Sequence, residues 1–376
     1  MKASRVGLSI ALLTAGASLW GEEAARPLRL GVAGLTHSHV HGILGRQGTD
    51  VEIVGIAETN RDLAARYVER YGLRPSLVYA TLEEMIAATR PEAVAAFGPT
   101  TDHRRVVEAC APRGIHVMVE KPLAFDVQAA LAMQTLAERH RVQLLTNLET
   151  SWYPSVHAVF ALVHEERAIG EIRKVVVRDG HPGPKEIGVE PEFFAWLTDP
   201  VRNGGGALTD FGCYGANLIT WLMKGEAPLS VTAVTQQIKP DVYPEVDDEA
   251  TIVLTYPRAQ GIVQASWNWP INRKDMDVYG KTGYVLAPDR DTIVVRRDEG
   301  AREATRRLEP RPAPLGDPFA HLAAVVRGKV RLADHDLSSP GNNVMVARIL
   351  DAARESAQTG RTVRLDAREP RRPGEE

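Results

Sequence analysis

The sequence predicts an α/β chain in two parts: a doubly wound parallel sheet, followed by an α+β half built on a large, mostly antiparallel sheet. Two observations carry this. Between residues 28 and 148, short apolar runs alternate with helix-patterned stretches, which is the rhythm of βαβ units. After about residue 150, strand-like runs follow one another at hairpin distance, separated by Gly-rich and Pro-rich turns. A length of 376 residues suits about two domains.

The elements follow in order. Leu28-Arg29-Leu30-Gly31-Val32-Ala33 is a short apolar strand, with a turn and a helix expected from about His37. The runs 51–57, 93–97 and 115–119 read as further strands, each leading into a helix (61–71, 102–111 and 126–140), and 143–145 closes the series. Each helix has an apolar stripe to cover, and a sheet with two helical faces covers it. In the second half, 171–178, 231–237, 250–256, 261–267 and 274–279 read as strands. A helix over 208–223 interrupts them, and apolar residues at helical spacing predict a last helix over 341–359. The expected boundaries are a leader over 1–26, a first domain over 27–148, a second over 149–365, and a charged, disordered tail over 366–376.

With 45 basic and 48 acidic residues the net charge is −3, so the composition excludes a nucleic-acid partner. Cys110 and Cys213 are too few for a disulfide framework and lack metal-ligand spacing. Lys2 and Arg5 precede an apolar stretch from Val6 to Trp20, and Ala15-Gly16-Ala17 offers a cleavage site. This pattern predicts Sec-type export to the periplasm or medium; the stretch is short for a spanning helix and no later segment could cross a membrane.

The central motif is Glu120-Lys121-Pro122, which ends the apolar run at 115–119. Ligands of open α/β sheets lie outside the carboxyl ends of the strands. A lysine held there can donate a proton to a substrate oxygen or relay one. A dinucleotide fingerprint, G-x-G-x-x-G, is expected after the first strand. The chain has Gly34-Leu35-Thr36-His37-Ser38-His39, so Thr36 and His39 stand at the second and third glycine positions. The Thr36 or Ser38 hydroxyl and the helix start remain available to a phosphate. Glu58, ending the second strand, is placed to accept the ribose hydroxyls and to repel a 2′-phosphate, which favours NAD over NADP. His37, His39 and His41 raise the question of a metal, but no carboxylate at helical spacing completes a ligand set, so none is assigned. In Gly204-Gly205-Gly206-Ala207-Leu208-Thr209-Asp210-Phe211-Gly212-Cys213-Tyr214, glycines precede a helix on which Asp210 and Tyr214 share a face. A carboxylate beside a phenol can orient an alcohol for proton transfer.

Glu120-Lys121-Pro122 at the fifth strand, followed by Gly204-Gly205-Gly206 and Asp210, resembles the Gfo/Idh/MocA oxidoreductase family, and Thr100-Thr101-Asp102-His103 resembles its cofactor-side loop. The resemblance covers about residues 28–362. It implies a Rossmann domain and a second domain whose open sheet mediates a homodimer or homotetramer. It also implies oxidation or reduction of a sugar, glycoside or cyclitol with NAD or NADP, a cofactor that an exported enzyme would keep tightly bound. By the resemblance Lys121, Asp210 and Tyr214 are catalytic, Tyr214 standing where the family usually has histidine, as in exported glucose–fructose oxidoreductases. Tyr214, or Lys121 through it, would take the hydroxyl proton. Gly34, Thr36, His37, Ser38, Glu58, Thr100, His103, Glu120 and Lys121 are the candidate cofactor residues. Glu149, Trp152, His181 and Lys185, in polar and aromatic stretches, join the catalytic three as candidate substrate residues, whereas Trp267 is expected to pack in the sheet or a subunit interface. Two other readings stay open: a glycoside-processing lyase or hydrolase using transient NAD redox or a metal, with His181, Glu149 and Asp210 as base or ligands, and a non-catalytic carbohydrate-binding protein.

Overall fold

The structure is a computed structural model and describes residues 26–365. The expected leader and the charged tail lie outside the described residues. Six parallel strands form the first sheet: β1 (Leu28–Ala33), β2 (Val51–Ala57), β3 (Val78–Tyr79), β4 (Ala93–Ala96), β5 (His116–Glu120) and β6 (Leu144–Asn147). Their order, β3-β2-β1-β4-β5-β6, reverses direction beside β1, and that switch point opens the crevice for a ligand. The central strands β4 and β5 are apolar because helices cover both faces.

The helix expected from His37 is a single short piece, α1 (Val40–Leu44). Residues 37–39 instead form a turn whose amide and imidazole groups bond to one another and to β5. Helices α2 (Arg61–Tyr71), α3 (Leu82–Thr89), α4 (Asp102–Cys110) and α5 (Val127–His140) complete the layers. Asn60, Thr81 and Asp126 cap α2, α3 and α5 by accepting amides of their first turns.

The second sheet has nine strands: β7 (Ile172–Gly180), β8 (Ser230–Gln236), β9 (Glu249–Thr255), β10 (Gln260–Ser266), β11 (Arg273–Gly280), β12 (Tyr284–Ala287), β13 (Thr292–Arg296), β14 (Ala304–Arg307) and β15 (Val363–Arg364). It is mixed, since β10 runs parallel to β7 while the other pairs are antiparallel. The helix expected over 208–223 is broken at Phe211 into α6 (Ala207–Asp210) and α7 (Gly212–Leu222). α7 is buried throughout, packed between the sheet and the last helix, α8 (Pro340–Thr359).

The boundary at residue 149 separates the two sheets but not the helices. Pro318–Val326 returns to the first domain, where Phe319, Leu322, Ala323 and Val325 pack with Leu28, Leu30 and Val32. The last helix also crosses, with Val344 and Ala347 in the core beside Val117 and Ala130. An apolar stripe specifies that a helix is covered, not which sheet covers it.

Candidate active site

β5 carries Glu120 and delivers Lys121 to the carboxyl edge of the first sheet, where the ammonium is buried, 6% exposed. It forms an ion pair with Asp210, and its Nζ lies 3.4 Å from the Asp210 carbonyl oxygen. The second Asp210 carboxylate oxygen accepts the Trp267 indole N–H at 2.9 Å. Burial alone would push the lysine toward neutrality, but the Asp210 carboxylate holds its pKa above the ordinary value. Burial likewise opposes ionisation of Asp210, and Lys121, ahead of His181, lowers its pKa.

The glycine triplet permits this approach. Gly204 adopts φ +77° where any Cβ would collide with the Phe125 ring of the first domain, and a Cβ on Gly206 would strike the Asp247 carbonyl. The Asp247 carboxylate then accepts the Gly206 and Leu208 amides and fixes the start of α6. Tyr214 converges on the same lysine, with Lys121 Nζ 5.5 Å from its ring centre. Burial, with Glu149 and Cys213 nearby, raises the Tyr214 pKa well above ordinary, so the residue is a phenol and a hydrogen-bond donor. A phenol accepts as well as donates, so the expected relay of a hydroxyl proton between Tyr214 and Lys121 is compatible with this state. Lys121 and Trp267 each bond one oxygen of the Asp210 carboxylate and fix its plane.

On the cofactor side, a cavity of about 160 Å³ is lined by Gly34, Thr36, Glu58, Gly98, Asp102 and His103 among others. Gly34 has φ +82°, and a Cβ there would come within 3.0 Å of the Gly98 nitrogen, so the loop lies close against the end of β4. Glu58 accepts the Leu35 amide at 2.8 Å and the Asn60 amide at 2.8 Å. Its carboxylate thus shapes the loop, and Glu58 also lines the cavity. Two buried imidazole nitrogens, His37 Nε2 and His103 Nε2, have no partner. Of the two, His103 lines the cavity, and its unsatisfied nitrogen beside the Gly34 and Gly98 backbone suits part of a dinucleotide. Thr100 and Ser38 are committed elsewhere: Thr100 donates to Asn203 at 2.9 Å, and Ser38 donates to Glu190 at 2.8 Å. The Ser38 hydroxyl, expected to be available to a phosphate, donates here to a second-domain carboxylate.

The histidine tract joins the domains. His39 bonds Glu120 at 2.8 Å, His37 packs on the Phe193 ring at 4.6 Å, and His41 bonds Glu190 at 2.6 Å. The fold brings the carboxylate of Glu120 to His37 and His39, with ligand-type atoms within 4.8 Å of one another, a grouping invisible from helical spacing. His37 Nδ1 accepts the His39 amide at 3.1 Å. Burial keeps that ring neutral, so Nε2 carries its proton and presents a donor rather than a metal-binding lone pair. Among the described residues, His181, Glu149 and Asp210 do not come together as ligands.

On the substrate side, a cleft of about 940 Å³ is lined by Glu149, Gly180, His181, Phe211, Trp269 and Lys274 among others. His181 Nδ1 accepts the Gly183 amide at 2.9 Å, and burial lowers the imidazole pKa to about 4, so it is neutral with a free Nε2–H. Glu149 pairs with Lys274 and accepts the Tyr153 hydroxyl; against the effect of burial, Lys274 brings its pKa down to about 2. Trp152 and Lys185 depart from expectation. Trp152 is buried at the domain junction, donating to Asn147 at 2.9 Å, while Asn147 donates to Glu120 at 2.7 Å. It supports Glu120 rather than lining the cleft. Lys185 is exposed and does not line the cleft, although His181 and Ile187 on either side of it do.

Sequence reading missed Lys274 and Asp179. They face each other across β11 and β7, and Lys274 Nζ lies 5.0 Å from the Tyr214 ring centre. Asp179 is fully buried with neither oxygen bonded, and burial raises its pKa well above ordinary despite Lys274. The available signal was alternation: Asp179 falls in phase with buried Val175 and Val177. Trp267 was also more than packing, since it orients Asp210.

Residues 28–148 match the oxidoreductase family with an NAD-binding Rossmann fold, and residues 159–286 match the GFO/IDH/MocA C-terminal domain. The chain belongs to the Gfo/Idh/MocA family of NAD(P)-dependent oxidoreductases. Trans-1,2-dihydrobenzene-1,2-diol dehydrogenase of Xenopus tropicalis is 26% identical over 314 residues, covering 81% of this chain and 89% of the relative. D-xylose 1-dehydrogenase (NADP(+)) 2 of Haloferax volcanii is 25% identical over 347 residues, covering 90% and 98%. The structure of aldose-aldose oxidoreductase from Caulobacter crescentus, complexed with glycerol, shares the fold with a TM-score of 0.74 at 23% identity, covering 90% of this chain and 100% of that one.

Proposed function

We propose that this protein is an exported oxidoreductase that interconverts a hydroxyl and a keto group on a sugar, glycoside or cyclitol, with NAD preferred to NADP and retained between turnovers. The observation that carries the reading is the buried Lys121–Asp210 pair, in which the lysine after β5 of the first domain meets the aspartate of α6 in the second. Gly34, Thr36, Glu58 and His103 line the cavity that would hold the dinucleotide. When bound, its nicotinamide supplies or accepts the hydride. Lys121, held as an ammonium, is loaded to protonate a keto oxygen; in the other direction it must first lose that proton. Tyr214 and His181 offer O–H and N–H donors that orient the substrate oxygen. The enzymes named above act on polyhydroxylated or diol substrates, and the cleft has the polar and aromatic lining a sugar uses.

Glu58 on the adenosine-ribose side of the cavity supports the preference for NAD. The N-terminal pattern of Lys2, Arg5 and the apolar stretch supports export; among the described residues, no helix is long and apolar enough to cross a membrane. The face of the nine-stranded sheet turned away from α7 is the surface for a homodimer or homotetramer. A lyase or hydrolase with Glu149 as base is disfavoured, since a carboxyl with a pKa of about 2 is a weak base.

The test is to denature the purified protein, assay the supernatant for dinucleotide, and titrate the stripped protein with NADH by fluorescence before a panel of sugars and keto-sugars. Released or rebound NAD(H), with absorbance change at the nicotinamide band on at least one sugar, is the expected result. A protein that neither releases nor binds dinucleotide contradicts the proposal.

A further inference from the structure

We infer that Arg202, a residue of the second domain, binds the diphosphate of the dinucleotide and so lets both domains grip the cofactor. The inference rests on the dinucleotide reading above. The phosphate loop has given up much of its usual equipment: Thr36 and His39 replace two glycines, Ser38 donates to Glu190, and the helix that follows has only five residues. A dianionic diphosphate placed there needs positive charge from elsewhere.

Arg202 lines the cofactor cavity from across the domain boundary. Its backbone is fixed on both sides. The Asp199 carboxylate accepts the Val201 amide at 2.8 Å, the Arg202 carbonyl accepts the Thr101 amide at 3.3 Å, and the next residue, Asn203, accepts the Thr100 hydroxyl at 2.9 Å. Asn203 is buried, and its amide nitrogen donates to the Leu197 and Gly205 carbonyls. The guanidinium itself is exposed and forms no ion pair among the described residues. A fixed backbone carrying an uncommitted guanidinium is preorganised for an anion, and its planar fork matches phosphate oxygens.

Topology selects which phosphate. Thr100 and Thr101 follow β4, on one side of β1, whereas Glu58 ends β2 on the other. A dinucleotide runs from its adenosine ribose at the end of β2, over the loop after β1, toward Lys121 after β5. Arg202 therefore meets it at or beyond the diphosphate, not at the ribose 2′ position. The other charged residues lining the cavity are Glu58, Asp102 and Arg105, so without Arg202 the lining carries a net negative charge.

The experiment compares the full chain with Arg202→Gln and Arg202→Lys, reading NADH binding by fluorescence and competition by ADP and by adenosine at two salt concentrations, alongside a thermal melt. Expected is a loss of about tenfold in NADH and ADP affinity in Arg202→Gln, with a shallower salt dependence, partial recovery in Arg202→Lys, and unchanged adenosine competition and melting. Equal ADP binding by wild type and Arg202→Gln overturns the inference. So does an equal loss for ADP and adenosine, which marks a structural role, or a change confined to the NADP/NAD ratio, which marks a 2′ contact. A wild-type protein that binds no dinucleotide overturns the underlying functional reading, and this inference with it.

Discussion

Lys121 and Asp210 stabilise each other only as a pair. Each is nearly out of solvent, and each has its charged form sustained by the other. Removing the lysine alone leaves a buried carboxylate, and breaking such a pair costs about 3–5 kcal/mol. Lys121→Met should therefore melt well below wild type, while Lys121→Met/Asp210→Asn should recover much of the stability and none of the activity. Equal melting temperatures for the two variants would refute the coupling. Asp210→Asn alone removes the charge that raises the lysine pKa, so the pKa must fall. Because keto reduction needs the ammonium, the alkaline limb of its kcat/KM profile should move to lower pH in this variant, and an unmoved limb would show that Lys121 is not the proton donor. The residues that sequence made legible were those in compact motifs. Asp179 and Lys274 are 95 positions apart and meet only through strand register, which no local pattern reports.

At the scale of elements, the strands were easier to read than their surroundings. β5 is a continuous apolar run ending in a lysine, so both its burial and its functional end were visible in sequence. The break between α6 and α7 was not, since an uninterrupted apolar stretch does not reveal the Phe211 backbone that turns Asp210 toward Lys121 and Tyr214 into the site. The return of Pro318–Val326 to the first sheet is likewise a matter of packing partner, not periodicity. The two glycine segments give a prediction of their own. Gly34→Ala places a Cβ against Gly98 and strains a positive φ, so NADH affinity and melting temperature should both drop. Gly206→Ala drives a Cβ into the Asp247 carbonyl and should lower the melting temperature or prevent soluble expression. If Gly206→Ala melts like wild type, the close approach of α6 to the loop at Asp247 is not what the glycine serves.

For the whole molecule, buried histidines make acid the weak side. A group whose folded pKa lies below its unfolded value binds more protons when unfolded, so stability rises with pH between the two values. For His157 and His181, burial sets that interval from about 4 to the ordinary 6.5. Their contribution is complete above the interval and is lost as pH falls through it; Glu149 adds a loss only between its ordinary 4.5 and about 2. The melting temperature should hold steady above pH 7 and fall from pH 6.5 to 4, less steeply in His157→Gln. A flat profile across that range would contradict the account. Both domains meet at one lysine, and the most direct measurement isolates it. NADH oxidation by a keto-sugar substrate is followed in wild type and in Lys121→Met/Asp210→Asn, each shown by fluorescence titration to be saturated with NADH. Comparable NADH binding and a rate lower by about 10²–10⁴-fold in the variant are expected; a variant that turns over at the wild-type rate would contradict the role given to Lys121.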